Sequence, residues 1–226
     1  MWFIVRAAFA AVILLGLLPR ISTAQESVFF VGVIGGSVQL SGDPTTIVTP
    51  TGFATSGYKP ETGLAVSAFV GRHIREYVTL QANYTWNRND VGFFAAKGTA
   101  TESLFFEQPH STSHHTFIAD VLVYFRERSS RIRPYLSGGL GFLRLSAEMQ
   151  PGLIDGGLRR SPAMFTTIDI TSRVAVGVDV PVGEGWSVRY SFSENLGPNP
   201  LSRQLEPQGV RGLMNFQNLV GVMRAF

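Results

Sequence analysis

Apolar and polar residues alternate along several segments of the sequence, and this period of two predicts β-strands with one apolar and one polar face. The clearest segment is 186–195, where Trp186, Val188, Tyr190 and Phe192 share one face. Three other segments alternate in the same way: 78–87, 117–126 and 173–180. An amphipathic helix would repeat every 3.6 residues, so the pattern restricts this chain to folds made of strands.

Four further segments have weaker strand patterns: 27–40, 63–71, 133–146 and 215–226. The total is eight strands of about ten residues, which is the length that a tilted strand needs to cross a membrane. In the segment 133–146 the apolar face changes phase, because Leu136, Leu140 and Phe142 share one face whereas Leu143 and Leu145 lie on the other. This change predicts a β-bulge, and a misjudged register is the alternative.

The predicted connections alternate strictly between long and short. The short ones are 72–76, 127–132 and 182–185, and the long ones are 41–62, 89–114, 150–166 and 197–212. Outer-membrane barrels have an even number of strands, short periplasmic turns and long extracellular loops. The sequence therefore predicts an all-β fold, an eight-stranded antiparallel up-and-down transmembrane β-barrel.

The N-terminus has the order of a secretory signal peptide: a basic residue at Arg6, an apolar run over 7–18, and small residues up to Ala24. The run is too short for a transmembrane helix, and a retained anchor is the alternative. We expect a signal peptide over 1–24, cleavage before Gln25, a barrel domain over 25–226, and location in the bacterial outer membrane.

Charge and cysteine content exclude several classes of function. Removal of Arg6 and Arg20 with the signal lowers the formal charge from +3 to +1, and a nearly neutral chain with scattered charges is not expected to bind nucleic acid. The sequence contains no cysteine, which excludes disulfides and thiolate metal sites.

The polar faces of the predicted strands carry both signs of charge: Asp120, Arg126, Asp169, Arg173, Asp179 and Arg189. Aromatic residues gather at the ends of the apolar faces: Phe125, Trp186 and Phe226 at one end, and Trp86, Phe117 and Phe192 at the other. These two groups resemble the aromatic girdles of a lipid-embedded barrel. We predict apolar faces toward lipid and a lumen plugged by Arg–Asp pairs. A gated or leaky pore is the alternative to the plug, and a soluble periplasmic lipocalin-like barrel that binds a ligand inside is the alternative to the membrane barrel.

Three parts of the sequence carry a resemblance to a known family: segment 133–142, the Val-Gly-Val-Asp-Val segment 176–180 followed by 186–190, and the terminal Phe226. They resemble the small eight-stranded outer-membrane β-barrels, the OmpA/OmpX-like family. The resemblance implies contact with outer-membrane lipid and lipopolysaccharide, and recognition of Phe226 by the barrel-insertion machinery. Arg224 departs from the family pattern, which has an apolar or aromatic residue two positions before the terminal Phe.

One stretch could carry chemistry, because histidines and serines are close in sequence: His110, Ser111, Ser113, His114 and His115. Eight-stranded lipid A deacylases, to which this stretch has a partial resemblance, place the serine two residues after the histidine, but Thr112 and Thr116 occupy those positions here. Adjacent strand residues such as His114 and His115 point to opposite faces. We therefore predict a solvated polar loop with no catalytic, cofactor or metal residues, and keep a lipid A-modifying enzyme and metal capture as alternatives.

The second long connection also contains two aromatic pairs, Phe93-Phe94 and Phe105-Phe106. They indicate either strands that extend above the membrane and pack on each other, or an apolar rim that binds a partner. The sequence favours a non-enzymatic outer-membrane protein that is structural or surface-binding, adhesin-like, through its four loops. The surface ligand cannot be identified from fold alone.

Overall fold

The computed structural model describes residues 29–226, so the predicted signal peptide over 1–24 and the cleavage before Gln25 lie outside the described residues. A 3-10 helix, Ser202–Gln204, lies between the last two strands. The strands in chain order are β1 (Phe29–Leu40), β2 (Thr45–Thr49), β3 (Gly52–Pro60), β4 (Gly63–His73), β5 (Val78–Thr99), β6 (Ser103–Tyr124), β7 (Arg133–Met149), β8 (Ile154–Asp155), β9 (Met164–Gly183), β10 (Trp186–Pro198) and β11 (Gly212–Ala225).

Eight of these strands form a closed antiparallel ring. The order around the ring is β1, β4, β5, β6, β7, β9, β10 and β11, and it closes because β1 pairs with both β4 and β11. Every ring strand coincides with one of the eight predicted segments, so the predicted fold class is confirmed. Closure leaves the ring without a free edge, which is required of a sheet that spans a bilayer.

The three short connections are confirmed at one end of the barrel, where β4–β5, β6–β7 and β9–β10 are joined. The last of them has only two residues between strands, Glu184 and Gly185, with φ of 49° and 79°. Positive φ at both central positions is the requirement of a type I′ turn, whose twist matches that of the flanking strands.

Two of the predicted long loops are wrong, because strands occupy most of them, and a third, 150–166, contains the two-residue β8. β5 and β6 stay paired as far as Gly98 and Ser103, so the predicted loop 89–114 is the outer end of a hairpin formed by two 22-residue strands. The predicted loop 41–62 contains β2 and β3, and β3 pairs with the end of β5. We define the extension sheet as β2, β3, residues 91–99 of β5, residues 103–110 of β6, and β8. It lies opposite the short turns, on the extracellular side of a barrel of this type.

The predicted bulge in β7 is also wrong. β7 pairs with β6 and with β9 in one continuous register throughout its length. Leu143 and Leu145 are buried because they point inward, as Ser137 does lower in the same strand. The apparent phase change arises because apolar side chains of β7 join the polar side chains of the interior at this level, where Leu145 belongs to the apolar cluster and pairs with the buried His114.

The polar faces point inward and the apolar faces outward, as predicted. Along β5 the buried side chains are Thr79, Gln81, Asn83 and Thr85, whereas Leu80 between them is exposed. This orientation is the reverse of a soluble ligand-binding barrel and is that of a transmembrane one. In residues 29–226 no helix has the length and hydropathy needed to span a bilayer.

Placing a charge on the outer wall tests which face meets lipid. Val121 is exposed on β6, four residues from Phe125 and six from His115, and so lies near the middle of the crossing segment. Val121→Arg is expected to lower the free energy of unfolding in lipid vesicles by about 2–4 kcal/mol, since the charge would enter hydrocarbon. Val121→Leu is the matched control. Equal stability of the two variants would contradict a lipid-facing Val121.

Candidate functional site

The periplasmic half of the interior is organised around Arg189, whose side chain is 1% exposed. Its guanidinium donates to both carboxylate oxygens of Asp179 at 2.7 Å, to the Tyr124 hydroxyl at 2.9 Å and to Gln81 Oε1 at 2.6 Å. These acceptors come from three strands, β5, β6 and β9, so one side chain links widely separated parts of the wall. Hydrogen bonding of this kind offsets the desolvation of a buried charge.

A second buried ion pair joins Arg173 and Asp120 at 3.2 Å, and Asn83 Nδ2 donates to the same carboxylate at 2.6 Å. Asp120 and Asp179 are thus confirmed as partners of the two interior arginines. The predicted role of Asp169 is wrong, because it lies near the extracellular mouth and pairs with Arg203 of the β10–β11 loop at 3.3 Å. The predicted position of Arg126 on the polar inner face is wrong as well, because Arg126 is exposed in the β6–β7 turn.

Aromatic rings fill the space around the Arg189 guanidinium. The distances from its Cζ to the ring centroids are 4.6 Å for Phe69, 5.0 Å for Tyr135 and 5.5 Å for Phe30. All three rings are buried. A cation over ring faces is stabilised further when it is desolvated. At this level the Arg189 side chain and the three rings share the interior of the barrel.

The extracellular half of the interior contains a large apolar cluster beside buried polar side chains such as Asn89, His110 and His114. The residues of this cluster come from the ring, from the extension sheet and from the β10–β11 loop: Leu40, Tyr58, Val91, Phe93, Ala95, Phe106, Leu145, Ala147, Leu201, Leu205 and Leu213. Leu201 and Leu205 flank the 3-10 helix and are inserted from above. The β10–β11 loop thus covers the mouth of the barrel with the same kind of packing that forms a soluble core.

Polar contacts hold this loop against the others. The buried carboxylate of Asp43 accepts from Asn199 Nδ2 at 3.1 Å and from the Val210 amide at 2.5 Å. Asn199 Nδ2 also donates to the Tyr58 hydroxyl at 3.1 Å, and burial raises the pKa of Tyr58 to about 12, so this phenol stays neutral. The Ser161 hydroxyl donates to a carbonyl of the 3-10 helix at 3.0 Å. The sequence pattern does not indicate Asp43 or Asn199, because they are 156 residues apart.

The predicted solvated histidine loop is wrong, since all three histidines lie in β6. His110 and His114 are buried in the interior, and His110 stacks on Phe93 with ring centroids 4.6 Å apart. His115 faces outward, where its Nδ1 and the Tyr84 hydroxyl are hydrogen-bonded at 2.7 Å. The predicted divergence of His114 and His115 is confirmed.

The two serines of this stretch lie on the outer face, opposite His110 and His114. Ser111 Oγ accepts from Arg88 Nε at 2.9 Å, and Ser113 Oγ accepts from the Trp86 indole at 3.1 Å. A nucleophile and its base need hydrogen-bond reach, and here the strand separates these serines from the buried imidazoles. Within residues 29–226 no group of three or more acidic or histidine side chains converges as a metal site.

The aromatic pairs divide between the two faces of the extension sheet. Phe93 and Phe106 are buried in the apolar core, so the predicted packing of extended strands is confirmed for them. Phe94 and Phe105 point outward. The Phe94 ring lies over Gly57, where a larger residue would place its Cβ only 2.7 Å from the ring. This outward face carries what we define as the outer patch: Val48, Phe53, Phe94, Phe105 and Ile154.

The sequence contained a signal for part of the outer patch. The run of β-branched residues Thr45–Thr49, followed by a turn at Pro50-Thr51, is typical of a hairpin. Val48 pairs directly with Phe53 across this hairpin. Ile154 joins the patch only because β8 pairs with β6 opposite Glu107. A two-residue strand is too short to be predicted from a periodic pattern.

Comparison with known proteins supports the fold. No family model and no curated protein matches the sequence. The structure is similar to that of neisserial surface protein A, with a TM-score of 0.50 and 16% identity over 88% of this chain and 97% of that one. AlkL, an outer membrane protein studied in lipid bilayers, has a TM-score of 0.47 and 11% identity over 92% and 95% of the two chains.

Ail of Yersinia pestis, in complex with a heparin analogue, has a TM-score of 0.45 and 10% identity over 88% of this chain and 99% of that one. At 16% identity, the likeness to neisserial surface protein A bears on the fold alone, and function has to be argued from the site. The closed ring of eight strands, the outward apolar faces and the likeness to neisserial surface protein A together lead to one conclusion: this chain has the fold of the small outer-membrane β-barrels, of the OmpA/OmpX-like type.

Proposed function

We propose that the protein is a non-enzymatic outer-membrane barrel, closed to solute flow, that binds a protein partner at the cell surface through the outer patch. The observation that carries the proposal is the patch itself, five apolar residues with three aromatic rings beside the exposed Glu107, on a sheet that stands above the crossing segments. Exposed apolar patches beyond a membrane surface are typical of protein–protein contact.

Charged residues separate the outer patch from the lipid-facing wall. Asp90 of β5 and Glu148 of β7 are both exposed on the outward face, and both are opposite Ser111 of β6. Phe94 lies four residues beyond Asp90 along the same strand. Carboxylates at this level indicate an aqueous environment, so the apolar patch above them is not accounted for by contact with lipid.

The filled interior supports a closed barrel. The buried Arg–Asp pairs lie in the lower half. The apolar cluster lies in the upper half together with buried polar side chains such as His110 and His114, and Leu201 and Leu205 of the β10–β11 loop lie over the mouth. A channel of this width would need a continuous polar path, which is found in larger barrels.

An edge strand supports a protein as the partner. Among the strands of residues 29–226, β2 pairs only with β3, so the backbone groups along its other side are available to an additional strand. All five residues of β2 are threonine, isoleucine or valine, and none carries a charge that would discourage pairing. An extended segment of a partner could add to this edge while its side chains contact Val48 and Phe53.

Export and insertion belong to the same proposal. Cleavage after Ala24 would release the barrel domain 25–226 into the periplasm, and the insertion machinery would recognise the strand that ends in Phe226. The Phe226 amide donates to the Phe29 carbonyl at 2.8 Å, and the Arg224 guanidinium lies 5.3 Å from the Phe226 ring centroid. Arg224 stands where the family has an apolar or aromatic residue. Its guanidinium can lie over the Phe226 ring at the membrane boundary, so an arginine at this position is compatible with an aromatic C-terminus.

The test is adhesion of a heterologous bacterial host that displays the protein. Cells with the wild-type chain are expected to be retained on an epithelial monolayer at least about fivefold above vector controls, and Phe53→Ser/Phe105→Ser is expected to remove most of that increment by deleting two aromatic anchors. Val210→Ser is the matched control, because Val210 is exposed on the β10–β11 loop outside the patch.

Folding of each variant is checked by heat-modifiability on gels. Retention of the patch variant at the wild-type level would contradict the proposal, and so would equal loss for Val210→Ser. The acyl pattern of lipid A from the same cells tests the enzymatic alternative. Loss of an acyl chain that depends on His110 or Ser111 would indicate that the protein is an enzyme and not a binding protein.

A further inference from the structure

The free edge of β2 belongs to a segment that is nearly symmetric about its central residue. The segment is Pro44-Thr45-Thr46-Ile47-Val48-Thr49-Pro50. On either side of Ile47 the residue types match in order: threonine against valine, which have the same branched shape, then threonine against threonine, then proline against proline. A strand with this symmetry presents nearly the same surface after a half-turn. Two-fold contacts between identical chains require such a self-complementary surface.

This edge is exposed and carries no charge. Ile47 is 50% exposed and Val48 is 76% exposed, and Thr46 and Thr49 are exposed as well. Proteins usually protect an edge strand with charged side chains or prolines. Here prolines stand only at the two ends of β2, so the five residues between them are able to pair. A second copy of the strand would meet no like charge along the whole of β2.

The backbone groups of β2 are arranged for pairing about Ile47. Thr49 and Gly52 flank the two-residue turn of the β2–β3 hairpin, so they form a hydrogen-bonded pair. Bonded and non-bonded pairs alternate in an antiparallel ladder, so Ile47 also bonds β3, whereas Thr46 and Val48 direct their backbone groups to the free edge. In a second copy centred on Ile47, each Thr46 would stand opposite a Val48, and four backbone hydrogen bonds would join the two strands.

The symmetry of an antiparallel pair determines how the two copies are oriented. Its two-fold axis is perpendicular to the sheet, and the extension sheet continues the barrel wall through β5 and β6. A half-turn about an axis perpendicular to the wall reverses the direction of the barrel axis. The second copy therefore belongs to a second membrane that faces the first.

The height of β2 leaves room for two facing membranes. Ile47 pairs with Ala54 of β3, which pairs with Lys97 of β5. Lys97 is eleven residues beyond Trp86 of the predicted aromatic girdle. With a rise of about 3.3 Å per residue and a tilt of about 40°, Ile47 lies roughly 25–30 Å above the membrane boundary. Two-fold pairing at this height would separate the two membranes by roughly 50–60 Å.

We propose that the free edge of β2 is a self-recognition site, at which a copy of this chain on one cell pairs with a copy on a facing cell. Ile47 of both copies lies at the two-fold axis. The two outer patches lie on the same face of the joined sheet, because the axis is perpendicular to that sheet. The proposal relies on the outward placement of the extension sheet, as the proposed function does, but its partner is a second copy of this chain instead of a different protein.

A single contact of this kind is weak. Four backbone hydrogen bonds contribute about 2–6 kcal/mol before the cost of association, and five residues a side are far fewer than the roughly 20–30 of a stable interface. Contact between two cells involves many copies at once, so the effect is expected between surfaces and not as a dimer in detergent. Cells that display the protein are therefore expected to clump.

The test exchanges charges at the two-fold axis. Ile47 faces Ile47 of the second copy, so Ile47→Lys and Ile47→Glu each place like charges directly opposite one another. Host cells without O-antigen that display the wild-type chain are expected to clump at least about threefold faster than vector controls, and either variant alone is expected to abolish this increment. A one-to-one mixture of Ile47→Lys cells and Ile47→Glu cells, each with its own fluorescent label, is expected to form clumps that contain both labels.

A second pair of variants tests the backbone ladder. Thr46→Pro removes an N–H that points to the free edge and leaves the bonds between β2 and β3 in place, so clumping is expected to fall to the vector level. Thr46→Val keeps the N–H and is the matched control. Val210→Lys and Val210→Glu, on the exposed β10–β11 loop, control for the added charge and are expected to clump as the wild type does. Heat-modifiability on gels verifies the folding of every variant.

Failure of the wild-type chain to clump cells would overturn the proposal. Loss of clumping in both Ile47 variants without recovery in the mixture would also overturn it, because the two Ile47 side chains would then not be opposed. Equal loss in Thr46→Val or in the Val210 variants would contradict a specific edge, and entry of vector cells into the clumps would show a partner other than this chain.

The adhesion assay separates this proposal from the proposed function. Ile47→Lys is expected to keep adhesion to the epithelial monolayer, because its charge is opposed only in self-pairing. Phe53→Ser/Phe105→Ser is expected to keep clumping, because the ladder between the two copies uses backbone groups of β2.

Discussion

Replacing Arg189 by methionine is expected to lower the free energy of unfolding by about 3–5 kcal/mol. The substitution keeps most of the volume but leaves the Asp179 carboxylate, which is 1% exposed, without its cation, and removes the donors that bond Tyr124 and Gln81. Urea unfolding in lipid vesicles, followed by tryptophan fluorescence, measures the difference. The loss is large because a desolvated charge without a partner is the most costly outcome of a substitution in this interior.

The double variant Arg189→Met/Asp179→Leu is the matched control for that result. It removes both charges together and is expected to cost less than Arg189→Met alone, because no isolated carboxylate remains. If Arg189→Met lowered the free energy of unfolding by less than about 1 kcal/mol, water would have to replace the guanidinium. That result would contradict the proposal that the lumen is closed.

Phe93→Ala is expected to destabilise the protein by about 3–5 kcal/mol, whereas Phe94→Ala is expected to change stability by less than about 1 kcal/mol. Phe93 is 0% exposed and packs against the rings of His110, Tyr58 and Phe165, with centroids 4.6–6.4 Å away. Phe94 lies on the outward face, where truncation leaves no cavity. Unfolding in vesicles compares the two variants directly.

Amide hydrogen exchange localises the effect of the same pair. Phe93→Ala is expected to increase exchange along the β5–β6 hairpin and in the β10–β11 loop, because Leu201 and Leu205 share its core. Phe94→Ala should leave both regions protected. If the two variants behaved alike, the extension sheet would lack an inner and an outer face, and the outer patch would lose its basis.

The transmembrane part of the fold was predictable because each of its strands separates two environments. A residue such as Leu80 faces lipid while Gln81 beside it faces the polar lumen, so the period of two is visible in the sequence. The same contrast predicted the inward arginines Arg173 and Arg189 and two of their carboxylates, Asp120 and Asp179. Their exact pairing required the register.

The extension sheet was not predictable in the same way, because large apolar side chains stand on both of its faces. Phe93 is buried and Phe94 belongs to the outer patch, and Phe105 and Phe106 repeat this arrangement on β6. Adjacent aromatic residues cancel the alternation, so the strand pattern disappears at the level where the structure continues as strand. The phase change at Leu143 in β7 has a related cause: an apolar side chain occupies the inner face, where the lower part of the strand has polar ones.

The sequence by itself determined the number of membrane strands, the short turns and the face that each strand turns toward lipid, because these depend on local alternation and local turn chemistry. Tertiary structure alone decided how the mouth is closed and where an apolar surface is left outside. Asp43 meets Asn199, and β8 adds to β6, through contacts between distant segments. The free energy of such contacts depends on register and loop closure, which no single segment encodes.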